Sequence, residues 1–307
     1  MRTLAVTVAA TFVLLGARHK DPTLPHGQVT LSNGSPPLLL VTVERVCNGA
    51  AEATVFADSE GRFRFPQEGS SGCEVHAWLP GYDSQRVKNA ADLGTLVLKP
   101  RGKVDFALRV ERNKVLSTVK SAWRPYLKGL DDAAKGKWRA AEDEFHDVTT
   151  AAKWSASAWL CLGMIQEREG DAVAAKKSYK EAIRVEAEFV LPHVYAAALE
   201  VTRGDWQEAF NDSNQAIQVD PQAFPGAWLT NAWANLNLHQ MDLAEKSARE
   251  GIKLDAEHRF PELEYVLALV FTDRRDTAGA MEHFKQYLSL APRGVWADAA
   301  RAASEKP

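Results

Sequence analysis

Apolar and polar positions alternate with a period of two from about Gly27 to Lys99, and with a helical period after Leu108. Strand side chains point to alternate faces, whereas helical ones return to the same face every three to four residues. The switch therefore separates a β-rich region from a helical one. In the first region Leu39, Val41 and Val43 alternate into Cys47, with Arg45 interrupting the row. Asp58-Ser-Glu-Gly61 marks a turn between Ala53–Ala57 and Arg62–Phe65, where Phe63 and Phe65 point one way and Arg62 and Arg64 the other. Cys73, Val75, Ala77 and Leu79 share the next apolar face, with Glu74, His76 and Trp78 opposite. Pro80-Gly81 turns the chain, and Leu93–Leu98 forms a last short strand. Strands at this spacing predict a small β-sandwich.

Both Cys47 and Cys73 fall on apolar strand faces, so they can meet in one core. If the chain is exported, a disulfide between them is expected, adding ~3.5 kcal/mol in the chain-entropy model. Two separate buried thiols are the alternative. Cys161 stands alone between Leu160 and Leu162 in a helical pattern and reads as a buried structural thiol.

Gly61-Arg-Phe63-Arg-Phe65, then Cys73-Glu-Val75-His-Ala77, then Pro80-Gly81-Tyr82 resembles the carboxypeptidase regulatory-like (transthyretin-like) domain. The resemblance covers about a quarter of the chain and departs at its start, where Gly27-Gln-Val29 and Gly34-Ser-Pro36 only loosely echo the usual opening. It implies a prealbumin-like sandwich that carries no peptidase chemistry.

Small residues recur through the helical region in pairs: Gly129/Ala141, Gly163/Ala175, Ala197/Ala209, Ala232/Ala244 and Ala268/Ala280. Members of a pair are 12 residues apart, and successive pairs 34 to 36. Antiparallel helices approach closely only where neither carries a bulky side chain, so each pair predicts a helical-hairpin crossing. Phe145, Tyr179 and Phe284 plug the gap to the next hairpin. Ser213 and Ala248 take that place in the third and fourth, which predicts looser packing there. Gly136, Gly170 and Gly204 supply the turns; His239-Gln240 and Asp273-Arg274 stand in the last two. Trp159-x-x-Leu162-Gly163 with Ala175-x-x-x-Tyr179 resembles the tetratricopeptide signature, with Gln166 and Ala187 replacing its usual Tyr and Pro. The expected fold is thus α+β: a small sandwich, then an α-α superhelix of about five such hairpins closed by a capping helix over Gly294–Lys306.

The termini and charge refine this picture. Met1-Arg2, an apolar run from Leu4 to Ala17, and Arg18-His19-Lys20-Asp21 fit an export signal; the run is too short for a membrane span of roughly 20 residues. The expected organisation is a signal peptide at 1–21, the β-region at 22–101 and the repeats at 102–307; the combination resembles bacterial envelope-associated proteins, which implies a place in the periplasm, cell envelope or exterior. A net charge of -3 with scattered Lys and Arg gives no footprint for nucleic acid.

No catalytic or phosphate-binding motif is present, so neither enzyme activity, a cofactor nor a metal is expected. The eight His are scattered, and Glu282-His283 reads as solvated surface, as do Asp131-Asp132 and Glu142-Asp143-Glu144. The first helices of stacked hairpins line the concave side, where Trp123, Tyr126, Leu160, Met164, Trp233 and Tyr265 predict an apolar groove for a peptide or protein partner. Trp138 and Trp206 follow turn glycines and are expected inside their own repeats. On the β-region, Trp78, Tyr82 and His76 give a rival reading: a carbohydrate-binding module with the repeats as spacer.

Overall fold

A computed structural model describes residues 24–47, 50–69, 72–101 and 115–304. The expected export segment lies outside these residues, as does 102–114, where the helical period begins. The β-region holds β1 (His26–Leu31), β2 (Thr42–Cys47), β3 (Ala50–Phe56), β4 (Arg62–Arg64), β5 (Glu74–Leu79), β6 (Tyr82–Asp83), β7 (Val87–Lys88) and β8 (Asp92–Pro100). They follow one path, β3-β2-β5-β6-β8-β1-β4, with β7 beside β5. β1 runs parallel to β8 and antiparallel to β4, while β2 lies antiparallel between β3 and β5.

The ends of this path, β3 and β4, approach each other. The result is a nearly closed, barrel-like sheet and not the expected two-sheet sandwich. Alternation reports which face is buried, and that face is the same in a sandwich and in a curled sheet. Val29, Val43, Phe65, Val75, Ala77 and Leu96 fill the interior without exposure. Gly61 is required where it stands: its φ is 78°, and a Cβ there would lie 2.1 Å from the Val29 carbonyl oxygen. Arg45 does not interrupt its row. Only 2% exposed, it lays its guanidinium 4.9 Å over the Phe65 ring and donates to Glu52 (2.7 Å) and to the Gln67 carbonyl (2.8 Å). Cys47 and Cys73 are joined by a disulfide, their Cα atoms 4.4 Å apart.

Paired helices follow: α1 (Lys120–Ala134) and α2 (Trp138–Ala151), α3 (Ala156–Glu169) and α4 (Ala172–Val185), α5 (Val190–Arg203) and α6 (Trp206–Val219), α7 (Pro225–Asn237) and α8 (Met241–Leu254), α9 (Glu262–Asp273) and α10 (Thr277–Leu290). The short α11 (Ala297–Ser304) ends the described chain. All the small crossing residues are buried. A Cβ on Gly163 would sit 2.5 Å from the Tyr179 ring, so closeness of approach sets that identity. Gly136, Gly170 and Gly204 hold positive φ at the first three turns. His239 (φ 59°) and Arg275 (φ 61°) adopt the same left-handed conformation at the last two, where side chains are normally disfavoured.

The third and fourth hairpins are not loose. Ser213 donates to the Ala209 carbonyl (2.6 Å) and accepts from Asn231 Nδ2 (3.0 Å), and Asn231 Oδ1 accepts from Ser247 (2.8 Å) and Asn235 (2.8 Å). Buried hydrogen bonds replace the missing ring.

The chain divides into two compact units. One takes the sheet up to Leu79, Asp83–Lys99 and also Leu127–Ala141; the other takes Pro80–Tyr82, the helical chain up to Tyr126, and the helices from Glu142 onward. Within the first, Trp138 meets Phe56 edge-on at 5.9 Å, so it is not simply core of its own repeat, and the Ser59 N–H donates to Asp131 (3.0 Å).

Candidate functional site

The predicted groove residues divide by burial. Tyr126 and Leu160 are 0% exposed and belong to the packed interior; Met164 and Tyr265 are buried as well. Tyr126 stacks on half-buried Trp123 (6.1 Å, 11°) and meets Phe145 edge-on (5.8 Å). A first-helix position that points inward also lies beneath its neighbour in the next hairpin, which the periodicity cannot distinguish from open surface. The groove assignment is thereby corrected for Tyr126 and Leu160.

At the other end of the array the aromatic residues converge. Half-buried Trp233 of α7 and Tyr265 of α9 have ring centroids 6.2 Å apart. Half-buried Trp296, immediately before α11, stacks on Tyr265 (5.3 Å, 17°) and lies 5.6 Å from Trp233. Its backbone N–H donates to the Tyr287 hydroxyl (3.1 Å), and Tyr265 also packs on Phe284 and Tyr287. Burial, and then neighbouring Tyr287, raises the Tyr265 pKa, so the ladder stays neutral. Trp296 was not among the expected anchors; its sequence signal is an indole just past Pro292-Arg-Gly294, where a first helix would begin again.

Equivalent slots between paired helices carry different chemistry. In the second hairpin Ser178 donates to Gln166 (2.7 Å), and Gln166 donates to Glu142 (3.3 Å). In the third hairpin these places hold Asp212 and Glu200. Glu200 is 0% exposed, with Lys180 Nζ at 3.1 Å and Lys176 Nζ at 3.6 Å. Lys180 also pairs with Asp212, and Lys176 with Asp205 (2.7 Å). Burial, then the nearby Asp212 charge, pushes Glu200 up to about 7 against the pull of Lys180. Burial also raises Asp212, but hydrogen bonds from His193 and Lys180 outweigh it and hold Asp212 below its ordinary value.

Two His–carboxylate pairs occupy matching places, each spanning 19 residues with the polarity reversed. His193 Nδ1 lies 2.8 Å from Asp212 and its Nε2 3.3 Å from the Ala187 carbonyl. His283 Nδ1 lies 2.7 Å from Glu264, and its ring stacks on Phe271 at 5.3 Å. His283 is therefore half-buried and engaged across the hairpin, not the solvated surface expected, whereas Glu282 is exposed as expected. In the alternate hairpins the place of His193 is taken by Trp159 and Trp228, whose indoles donate to the Lys153 (3.0 Å) and Pro221 (2.8 Å) carbonyls. These residues fasten a first helix to the end of the preceding hairpin.

On the β-region, Tyr82 is only 3% exposed and His76 1%, with His76 between Glu44 and Asp83 (3.3 Å each). Half-buried Trp78 thus has no second exposed ring beside it from this trio, which corrects the predicted sugar platform. Cys47, Cys73 and Glu52 form the one cluster with metal-ligand spacing among the described residues, and the disulfide ties up both sulfurs. No helix of the described residues is long and apolar enough to cross a membrane.

The tetratricopeptide repeat family matches residues 156–189, the α3–α4 hairpin. No curated protein sequence matches the chain. Among solved structures the chain is similar to YrrB, described as a tetratricopeptide protein with an unusual peptide-binding site, at 14% identity and a TM-score of 0.53, over 65% of this chain and 98% of that one. It is similar to MamA from Desulfovibrio magneticus RS-1 at 14% identity and a TM-score of 0.52, over 57% and 98%. A tetratricopeptide repeat protein from Parabacteroides merdae matches at 19% identity and a TM-score of 0.51, over 60% and 71%. The C-terminal part of the chain is therefore a tetratricopeptide-type helical superhelix, preceded by a β-rich domain.

Proposed function

We propose that this chain is a non-catalytic, exported scaffold of the cell envelope or exterior, which holds a peptide or protein partner on the apolar side of its first helices. The observation that carries this reading is the ladder Trp233–Tyr265–Trp296, two half-buried indoles from α7 and the segment before α11 around the buried Tyr265 of α9, with ring centroids within 6.2 Å of one another. Aromatic side chains offer much contact area for little conformational entropy and dominate peptide interfaces. The peptide-binding site named for YrrB supports the same use of this fold. Several buried titratable groups of the repeats are tied into inter-helix hydrogen bonds and ion pairs, as the two His–carboxylate pairs illustrate, which favours a structural over a catalytic role. The export of the chain rests on its N-terminal sequence pattern.

Selection from a displayed library of random peptides tests this. Enriched sequences with apolar or aromatic anchors are expected, and Trp233→Ala should weaken their binding by at least tenfold while circular dichroism shows unchanged helicity. No enrichment, or equal binding by the variant, overturns the assignment.

A further inference from the structure

We propose that the joint between the second and third hairpins is proton-operated: protonation of Glu200 keeps α4, α5 and α6 closed on one another, and its ionisation loosens them. The geometry is one of shared cations. Two lysines reach the joint from α4, and each already pairs with another carboxylate, Lys180 with Asp212 and Lys176 with Asp205, which Arg203 also engages. Glu200 is the third carboxylate, wholly buried, and its nearest cation, Lys180 Nζ at 3.1 Å, is shared with Asp212. A neutral Glu200 leaves the joint balanced and carries a proton that neighbouring Asp212 can accept. An ionised Glu200 adds a buried charge that has no cation to itself, because Lys180 is shared with Asp212 and Lys176 with Asp205.

The other groups around the joint do not supply one. On α6, Glu208 adds further negative charge near Lys176. At the turn, Arg203 is engaged by Asp205 (3.2 Å). On α5, His193 is held between Asp212 and the Ala187 carbonyl. On α3, Glu167 accepts from the Tyr179 hydroxyl (2.7 Å), and α7 carries no titratable residue. The cluster thus discriminates between two states of one proton.

The sign follows from linkage. Glu200 sits at about 7 in the closed joint, against 4.5 for an ordinary glutamate. Its stabilisation is complete below the lower value, is lost as pH rises to the upper one, and does not change further above it. One proton released on opening raises the opening equilibrium about tenfold per pH unit between roughly 5 and 7.

Hydrogen exchange on the full chain between pH 5 and 8.5, corrected for intrinsic exchange, reads this directly. Amides of α4–α6 should lose protection about tenfold per unit up to pH 7 and then level off, while those of α9–α10 stay flat. Glu200→Gln should flatten the α4–α6 profile. The same slope in the variant, or no difference between the two regions in the unsubstituted protein, overturns the proposal. Should the variant not fold, carboxyl 13C titration of the unsubstituted protein decides. The assigned Glu200 carboxyl titrating near 7 upholds the joint, and Glu200 titrating below about 5.5 defeats it.

Discussion

The second and third hairpins are built on the same frame yet closed by opposite chemistry. Between α3 and α4 the slot is filled by a neutral amide and hydroxyl, Gln166 and Ser178, and the amide reaches on to Glu142 of the preceding hairpin. Between α5 and α6 it is filled by Glu200 and Asp212, and the reach to the preceding hairpin is made by lysines. The fourth hairpin uses Asn235 and Ser247 around Asn231, and the fifth stacks Phe271 on His283. The repeat thus fixes where polar atoms meet and leaves their charge free. A neutral slot is closed under all conditions, whereas an ionic slot is closed only for certain protonation states.

Several substitutions would break or sharpen this contrast. The largest effect is expected from Asp212→Ala, which strips Lys180 and His193 of a shared acceptor and should cost about 3 kcal/mol in urea denaturation at pH 7. Because the Asp212 pKa lies below its ordinary 3.8, that cost should shrink as pH falls through the native value. Gly163→Val tests the steric side of the frame. With its Cβ directed at Tyr179, it should destabilise by about 2 kcal/mol, read from the denaturation midpoint; an unchanged midpoint would mean that α3 and α4 can part without penalty. Asn231→Ala removes the bridge between the third and fourth hairpins and should cost about 1.5 kcal/mol, without the pH dependence of the ionic slot. Smallest is Ala197→Gly, about 1 kcal/mol through helix propensity, measurable by thermal melting.

Much of the helical frame was legible because its constraint is short-range: two small residues 12 apart must touch, and all five pairs are buried where they were expected. The closure of the sheet was not legible. Pairing β1 with β8 brings together residues some 67 positions apart, as in Gln28 with Thr95, and alternation carries no information about such pairing. Arg45 seemed to interrupt a buried row because its charge was read and its long apolar stem was not. Of the aromatic cluster, Trp233 and Tyr265 were placed on successive first helices, where they do meet, but Trp296 was hidden in a segment read only as a cap. Glu200 was not singled out by periodicity or motif. Its signal lies in register, since it falls where Gln166 and Asn235 stand in adjacent hairpins, a place that takes a polar side chain in all three.

Trp296 gives the last turn of the chain two obligations. Its ring completes the stack on Tyr265, and its backbone, with Gly294 pressed against the Tyr287 hydroxyl, secures the terminal helix over α10. A protein shortened before this residue would lose its end-plate and the outermost aromatic surface in one step. If the proposed partner does sit on that stack, trimming there cannot separate durability from recognition.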